Sequence, residues 1–220
     1  MSLRVLTWNL KHGRAVPSAG RELLGEFTAA LAGWDWDVAL LQEVPPWWPP
    51  ELGQQLGADQ RLVLTSRNAL LGLRRAVAVR WPDVIKSNGG GANAILVRGP
   101  AVVEHRVKRL GWWPEPRWLH AVRLETGVWA GNLHTQADER QGQLAARVLL
   151  SWAAGSQAVL GGDFNVWDLE LDGFIRVGGH ASDQVFLAGG LSAAGEARVL
   201  ERGSLSDHAP VLVTVVDLPS

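Results

Sequence analysis

The sequence contains no cysteine, no tyrosine and one methionine among its 220 residues. Without thiols it can form no disulfide and no thiolate metal site. It also lacks a continuous apolar run near the ~20 residues that a membrane span needs. Its first residues, Met1-Ser2-Leu3-Arg4-Val5-Leu6, show neither a basic segment before a long apolar run nor a small-residue cleavage site, so the cytoplasm is the expected compartment. A basic excess is missing too. The formal net charge is −1, from 21 Lys and Arg against 22 Asp and Glu, so charge alone does not mark a nucleic-acid binder. Only Lys11, Lys86 and Lys108 are lysine. Arginine forks pair well with phosphate, but a genomic bias towards arginine gives the same count. Neither solenoid-length repeats nor a low-complexity linker appear, so a single domain over residues 1–220 is expected.

What is present is an alternation of short β-rich runs and a few helices. Residues 4–8 read as a strand. Leu23, Leu24, Phe27, Ala30 and Leu31 fall on one face of an amphipathic helix. Residues 37–42 are nearly all apolar, as in a strand buried on both sides. Pro45, Pro46, Pro49 and Pro50 then predict an irregular loop. Further strands are expected at 61–64, 76–80, 92–98, 101–108, 118–125, 128–133, 158–161, 184–187, 197–201 and 210–216. Residues 138–152 predict a helix with Leu144, Val148, Leu149 and Trp152 as its stripe, and Thr135-x-x-Asp138 resembles a capping box before it. Adjacent strands with short turns pair antiparallel, and strand–helix–strand units pair parallel. The sum is a mixed α/β protein with two packed sheets flanked by helices.

Polar residues recur where these strands end: Asn9, Glu43, His134, Asp163, Asn165, Asp183, Asp207 and His208. Each alone has a plain explanation as a turn former, a cap or a solvent-facing group. Together their chemistry is complementary. Glu43 and Asp207 are hard oxygen donors suited to Mg2+ or Mn2+. Asp163 and Asn165, two apart, share one face of an extended segment, where a carboxylate can orient a water and an amide can donate to a phosphoryl oxygen. Gly161 and Gly162 before them allow close backbone approach. His134 and His208 can protonate near neutral pH and stabilise an anionic transition state, and Asp183 would hold the ring of His208.

These residues lie within Trp8-Asn9, Gln42-Glu43, Asn132-Leu133-His134, Gly161-Gly162-Asp163-Phe164-Asn165, Ser182-Asp183-Gln184-Val185-Phe186 and Ser206-Asp207-His208-Ala209-Pro210. Six such motifs in this order resemble the signatures of the endonuclease/exonuclease/phosphatase superfamily. The resemblance implies an α/β four-layer sandwich of two mixed, mainly antiparallel sheets packed face to face with helices outside. It implies that Glu43 is the principal metal ligand, that Asn9 orients it, and that Asp207 is a second metal-proximal carboxylate. Asp163 and Asn165 would handle the nucleophilic water, Asp183 and His208 would form a dyad, and His134 would meet the scissile phosphate. Arg117 opens a strand where the family often has an arginine.

Two departures narrow the reading. Lys11 stands where the abasic-site endonuclease branch has an aspartate, and that branch uses a tyrosine that this chain lacks. The inositol-phosphatase signatures also fit poorly around Asn132 and Asp163. The expected activity is Mg2+- or Mn2+-dependent hydrolysis of phosphate esters, with a nuclease or phosphodiesterase first. The alternatives are a phosphatase or lipid phosphodiesterase, and a non-catalytic binding module. Trp47-Trp48, Trp112-Trp113 and Trp118 offer stacking surfaces to bases or a rim for lipid, unless they simply plug the fold. The segment Asn88-Gly89-Gly90-Gly91-Ala92-Asn93 is a phosphate-approaching loop or a plain hairpin turn.

Overall fold

The computed structural model of the chain describes residues 1–65, 68–81 and 91–218. β1 (Ser2–Asn9) passes through a turn and α1 (Leu24–Gly33) to β2 (Val38–Val44), which lies parallel to it. α2 (Trp48–Leu56), β3 (Asp59–Leu64), α3 (Leu71–Arg80) and β4 (Ala92–Val97) follow. β5 (Val102–Gly111), β6 (Arg117–Leu124) and β7 (Trp129–His134) form an antiparallel meander. α4 (Glu139–Ala153) then crosses to β8 (Ala158–Asp163), parallel to β7. β9 (Ile175–His180), β10 (Asp183–Ala188), β11 (Leu191–Ala193), β12 (Arg198–Val199) and β13 (Val211–Asp217) complete the described chain. One sheet has the order β11-β13-β1-β2-β4-β3 with β12 also on β13, and the other β5-β6-β7-β8-β10-β9.

Strand side chains alternate between faces, which sorts the apolar residues into three layers of contact. Leu3, Val5, Val38, Leu40 and Ile95 meet Val122, Leu124, Val159 and Val185 between the sheets. On the outer face of the first sheet Leu6, Trp8 and Leu41 pack with Phe27, Leu31 and Leu52 of α1 and α2. Leu119, Leu133, Leu160 and Phe186 meet Ala145, Ala146 and Leu149 of α4 on the other side. The result is the four-layer α/β sandwich of two mixed sheets with helices outside. A polar bridge crosses its inter-sheet core. Gln42 Nε2 donates to Asn132 Oδ1 at 2.8 Å, and Asn132 Nδ2 donates to the carbonyls of Leu41 and Ala94, each at 2.9 Å. Asn132 uses its oxygen and both amide protons, while Gln42 Oε1 is buried without a hydrogen-bond partner among the described residues; the bonds that are made fix the register of the two sheets against each other.

Several local expectations need correction. The proline segment is not wholly irregular. Pro49 and Pro50 sit in the first turn of α2, where a missing N–H is no loss, and Trp48 is buried against Phe27. Residues 76–80 belong to α3 rather than a strand, so a β-branched alternation here was overridden by its neighbours. The capping box is displaced by one role. Asp138 itself caps α4, accepting from Arg140 N, while the Thr135 hydroxyl donates to the Phe164 carbonyl. β9 and β11 carried no recognisable apolar run, and the strand expected at 197–201 shrinks to β12. Residues 88–90 of the glycine-rich segment lie outside the described residues. Among the described residues no helix is long and apolar enough to cross a membrane.

Candidate active site

The two parallel pairs run the same way, so β1, β2, β7 and β8 all end at one rim of the sandwich. β6, β10 and β13 are antiparallel to their neighbours and begin at that rim. Side chains leaving the packed core converge there, and all eight residues singled out at the strand ends meet at it.

Asp163 is the centre. It closes β8, is only 1% exposed, and accepts from Asn9 Nδ2 at 2.9 Å and from the Asn165 backbone N–H at 3.0 Å. Burial pushes its carboxyl up, but the neighbouring histidines and the hydrogen bonds from Asn9 and Ser182 more than reverse this, leaving it below the ordinary aspartate value. The close pass of β8 against β7 requires glycine. Gly162 has φ +149, and a Cβ there would lie 2.0 Å from the Leu133 carbonyl oxygen. The chain leaves the extended conformation immediately after Asp163, because Asn165 is left-handed at φ 52. Asp163 and Asn165 therefore share the site through a turn and not, as the spacing predicts, through one strand face. Asn165 Nδ2 donates to the Thr135 carbonyl at 2.8 Å and keeps a second N–H.

Asp183 lies directly across from Asp163 in the β8–β10 register. Its Oδ2 accepts from His208 Nδ1 at 2.6 Å, a short charge-assisted bond. Burial raises the Asp183 carboxyl to about 6 despite that bond. Burial pulls the other way on His208, but Asp183, Asp163 and Asp207 overcome it and raise the imidazole to about 9. At neutral pH the dyad is thus an ion pair. The loop carrying His208 is tied to β1. Trp8 Nε1 donates to the His208 carbonyl at 2.9 Å, and Ser206 Oγ donates to the Asn9 carbonyl at 2.6 Å. Trp8 and Asn9 therefore act together, the indole fixing the loop and the amide fixing Asp163.

His134 behaves differently from His208. Arg117 donates to His134 Nδ1 at 3.0 Å, so the ring proton sits on Nε2, which is 3.5 Å from Asp163 Oδ2 and 3.9 Å from Glu43 Oε1. Burial, and then the Arg117 charge, lower His134 to about 4. The expectation that both histidines protonate near neutrality is corrected here, since His134 is a neutral N–H donor. Arg117 is also 3.5 Å from Glu115, and its Nε is buried without a hydrogen-bond partner among the described residues.

Glu43 sits in a bulge of β2, where the pairing with β4 shifts between Leu41 and Val44, and its φ of 49 is left-handed. The bulge re-aims the side chain into the pocket. His12 Nε2 lies 3.1 Å from its Oε2. His12 was not legible as a site residue, although its place between Asn9 and Glu43 in the chain put it near both. Asp207 contacts the Lys11 ammonium and lies 3.8 Å from His208 Nε2. Burial raises its carboxyl, and Lys11 and His208 lower it further than burial lifts it. Asn9, expected to orient Glu43, donates to Asp163 Oδ2 at 2.9 Å and accepts from the Lys11 N–H at 2.9 Å.

Donor atoms of Asp163, Asp183 and His208 lie within 4.8 Å of one another. Much of this donor set is already taken by protein partners, since His208 Nδ1 donates to Asp183 at 2.6 Å and Asp163 accepts from Asn9 and the Asn165 N–H. Glu43 and Asp207 suit a cation. Both keep part of a hard carboxylate open to solvent at the pocket mouth, the donor type that Mg2+ and Mn2+ accept together with waters.

The comparisons bear on the family and the fold. The model of the Endonuclease/Exonuclease/phosphatase family matches residues 6–208. The chain belongs to that family, whose members hydrolyse phosphoester bonds. Among solved structures it resembles the endonuclease/exonuclease/phosphatase from Bacteroides vulgatus, with a TM-score of 0.72, 14% identity and 99% of each chain covered. The endonuclease/exonuclease/phosphatase from Beutenbergia cavernae gives a TM-score of 0.70 at 18% identity, over 99% of this chain and 72% of that one. TDP2 from Caenorhabditis elegans gives 0.65 at 16% identity, over 98% of this chain and 74% of that one. No curated protein matches the sequence significantly. At these identities the structural likeness speaks for the fold.

Proposed function

We propose that the protein is a divalent-metal-dependent phosphodiesterase or nuclease, acting through the pocket around Asp163 within a single domain. The observation that carries the reading is the convergence of two histidines on Asp163, His134 Nε2 at 3.5 Å and His208 Nε2 at 3.9 Å from its Oδ2. Glu43, with Asp207 nearby, would hold one Mg2+ or Mn2+, which when bound would neutralise phosphoryl oxygens as a Lewis acid. Asp163 accepts a proton from the attacking water and aims its oxygen in line at phosphorus. Asn165 donates its remaining amide proton to a non-bridging oxygen. His134 Nε2–H does the same, and Arg117 keeps it in that tautomer. His208, charged through Asp183, stabilises the pentacoordinate centre or donates its proton to the leaving oxygen.

A diester with a base on either side is favoured over a lipid by the rim. Trp112, Trp113 and Trp167 are exposed, the first two on the loop that leads to Arg117 and the third two residues after Asn165. Arg109 stacks on the Trp112 ring at 3.2 Å from its centroid. Aromatic faces with arginine are suited to single-stranded bases. Trp47 and Trp48, by contrast, are committed to the fold through Glu22 and the α2 core. The test is an activity screen of the purified protein on oligonucleotides, nucleotides, inositol phosphates and sphingomyelin, with Mg2+ and with EDTA. Mg2+-dependent cleavage of oligonucleotides supports the reading, and turnover of the lipid or inositol esters alone refutes it.

A further inference from the structure

The two carboxylates at the pocket mouth are not equivalent. Glu43 is flanked by imidazoles, His12 at 3.1 Å and the neutral His134 at 3.9 Å. Asp207 instead has an ammonium group on it, from Lys11. That lysine is not there by the swing of a loose side chain. Lys11, His12 and Gly13 have φ values of 46, 52 and 73, three left-handed residues in succession, two of them not glycine. Such backbone is costly and persists only where the surroundings over-determine it. They do so here. The Lys11 N–H is held by Asn9 Oδ1 at 2.9 Å, Leu10 N by the Gln42 carbonyl at 2.9 Å, and Gly13 N by the Leu10 carbonyl at 2.8 Å. Gly13 lies against the Trp48 indole so tightly that a Cβ would come within 2.3 Å of it. A relaxed turn would point Lys11 elsewhere; this one delivers its amine to Asp207, while about a third of the side chain stays open to solvent.

We propose that Lys11 is the site's second cation. Its ammonium occupies the seat beside Asp207 that a second divalent ion would need, and its free N–H groups reach a phosphoryl oxygen of the substrate. The chain then works with one metal ion, held at Glu43. Asp207 serves to anchor the lysine. This rests on the metal-dependent reading above and makes it more specific. The chemistry is that of charge. A dication brought to Asp207 would have to displace an ammonium fixed by both a carboxylate and a rigid turn, whereas Glu43 meets two imidazoles and, among the described residues, no lysine or arginine at ion-pair distance.

The test is Mn2+ titration of the full-length protein by isothermal calorimetry, with bound Mn2+ counted by electron paramagnetic resonance. One Mn2+ per chain is expected in the wild type, and Glu43→Gln should abolish it. Lys11→Asn, in which asparagine tolerates the left-handed turn, should bind a second Mn2+, and Lys11→Asn with Asp207→Asn should lose that second ion. Lys11→Ala is the companion variant, and thermal melts establish that both are folded. In the same variants kcat should fall about a hundredfold and recover in part as Mn2+ is raised into the millimolar range. Two Mn2+ in the wild type, or one in every Lys11 variant, would overturn the proposal. No Mn2+ bound by the wild type would remove the metal-dependent reading itself, and the role of Lys11 with it.

Discussion

The Arg117 guanidinium lies 3.0 Å from His134 Nδ1, on the far side of a buried ring whose Nε2 faces Asp163 and Glu43. Glu43 and Asp163 would each favour an imidazolium, yet burial and the adjacent arginine charge prevail and hold His134 near 4. The same pocket holds His208 near 9, because its partner is a carboxylate and its burial is less complete. One site thus contains a histidine that only donates a hydrogen bond and another that carries charge, set apart by environment.

Replacing Arg117 with Ala should free His134 from that constraint. We expect its pKa to rise from about 4 towards the ordinary value, with the proton no longer confined to Nε2. Turnover should drop roughly ten- to a hundredfold as the donor loses its orientation. Histidine nitrogen chemical shifts across pH 4 to 8 read both effects. An unchanged His134 titration in a folded R117A protein would contradict the assignment.

The Asp183–His208 pair sets a pH window. Asp183 gives up its proton near pH 6 and His208 near pH 9, so the active ion pair assembles as pH rises through the first value and is dismantled through the second. The profile of kcat/KM should be bell-shaped between these limits, its two apparent values belonging to the pair. Asp183→Asn removes the charge that holds the proton on His208, and the alkaline limb should move down by one unit or more. An alkaline limb that stays in place would show that another group governs it.

Asn132 tests the polar bridge beneath the site. Asn132→Leu removes the N–H groups given to the Leu41 and Ala94 carbonyls and one acceptor of Gln42 Nε2, which keeps the Leu40 carbonyl and Thr7 Oγ1. Urea denaturation should show a loss of about 2–4 kcal/mol. A neutral substitution would mean that the bridge contributes register alone.

Much of this architecture was legible in the order of residues. Apolar runs such as 37–42 mark buried strands because a strand covered on both faces needs no polar side, and β2 obliges. The amphipathic stripes mark α1 and α4 for the same reason. α3 and β9 were not legible, because their burial is partial and their patterns weak; β9 consists largely of intermediate and exposed residues. At the site, residue types at strand ends pointed to Glu43, Asp163, Asp183 and His208. The bulge that turns Glu43, the left-handed Lys11 and His12, and the choice of Arg117 over a carboxylate as partner of His134 are products of tertiary packing. No spacing rule encodes them.

The most direct test is the rate of Mg2+-dependent cleavage of a phosphodiester by Asp163→Asn beside the wild type. Asparagine keeps the shape of the side chain but cannot accept the water's proton. The account predicts a loss of roughly three orders of magnitude or more, with the thermal transition little changed. A folded Asp163→Asn protein that cleaves at near the wild-type rate would contradict it.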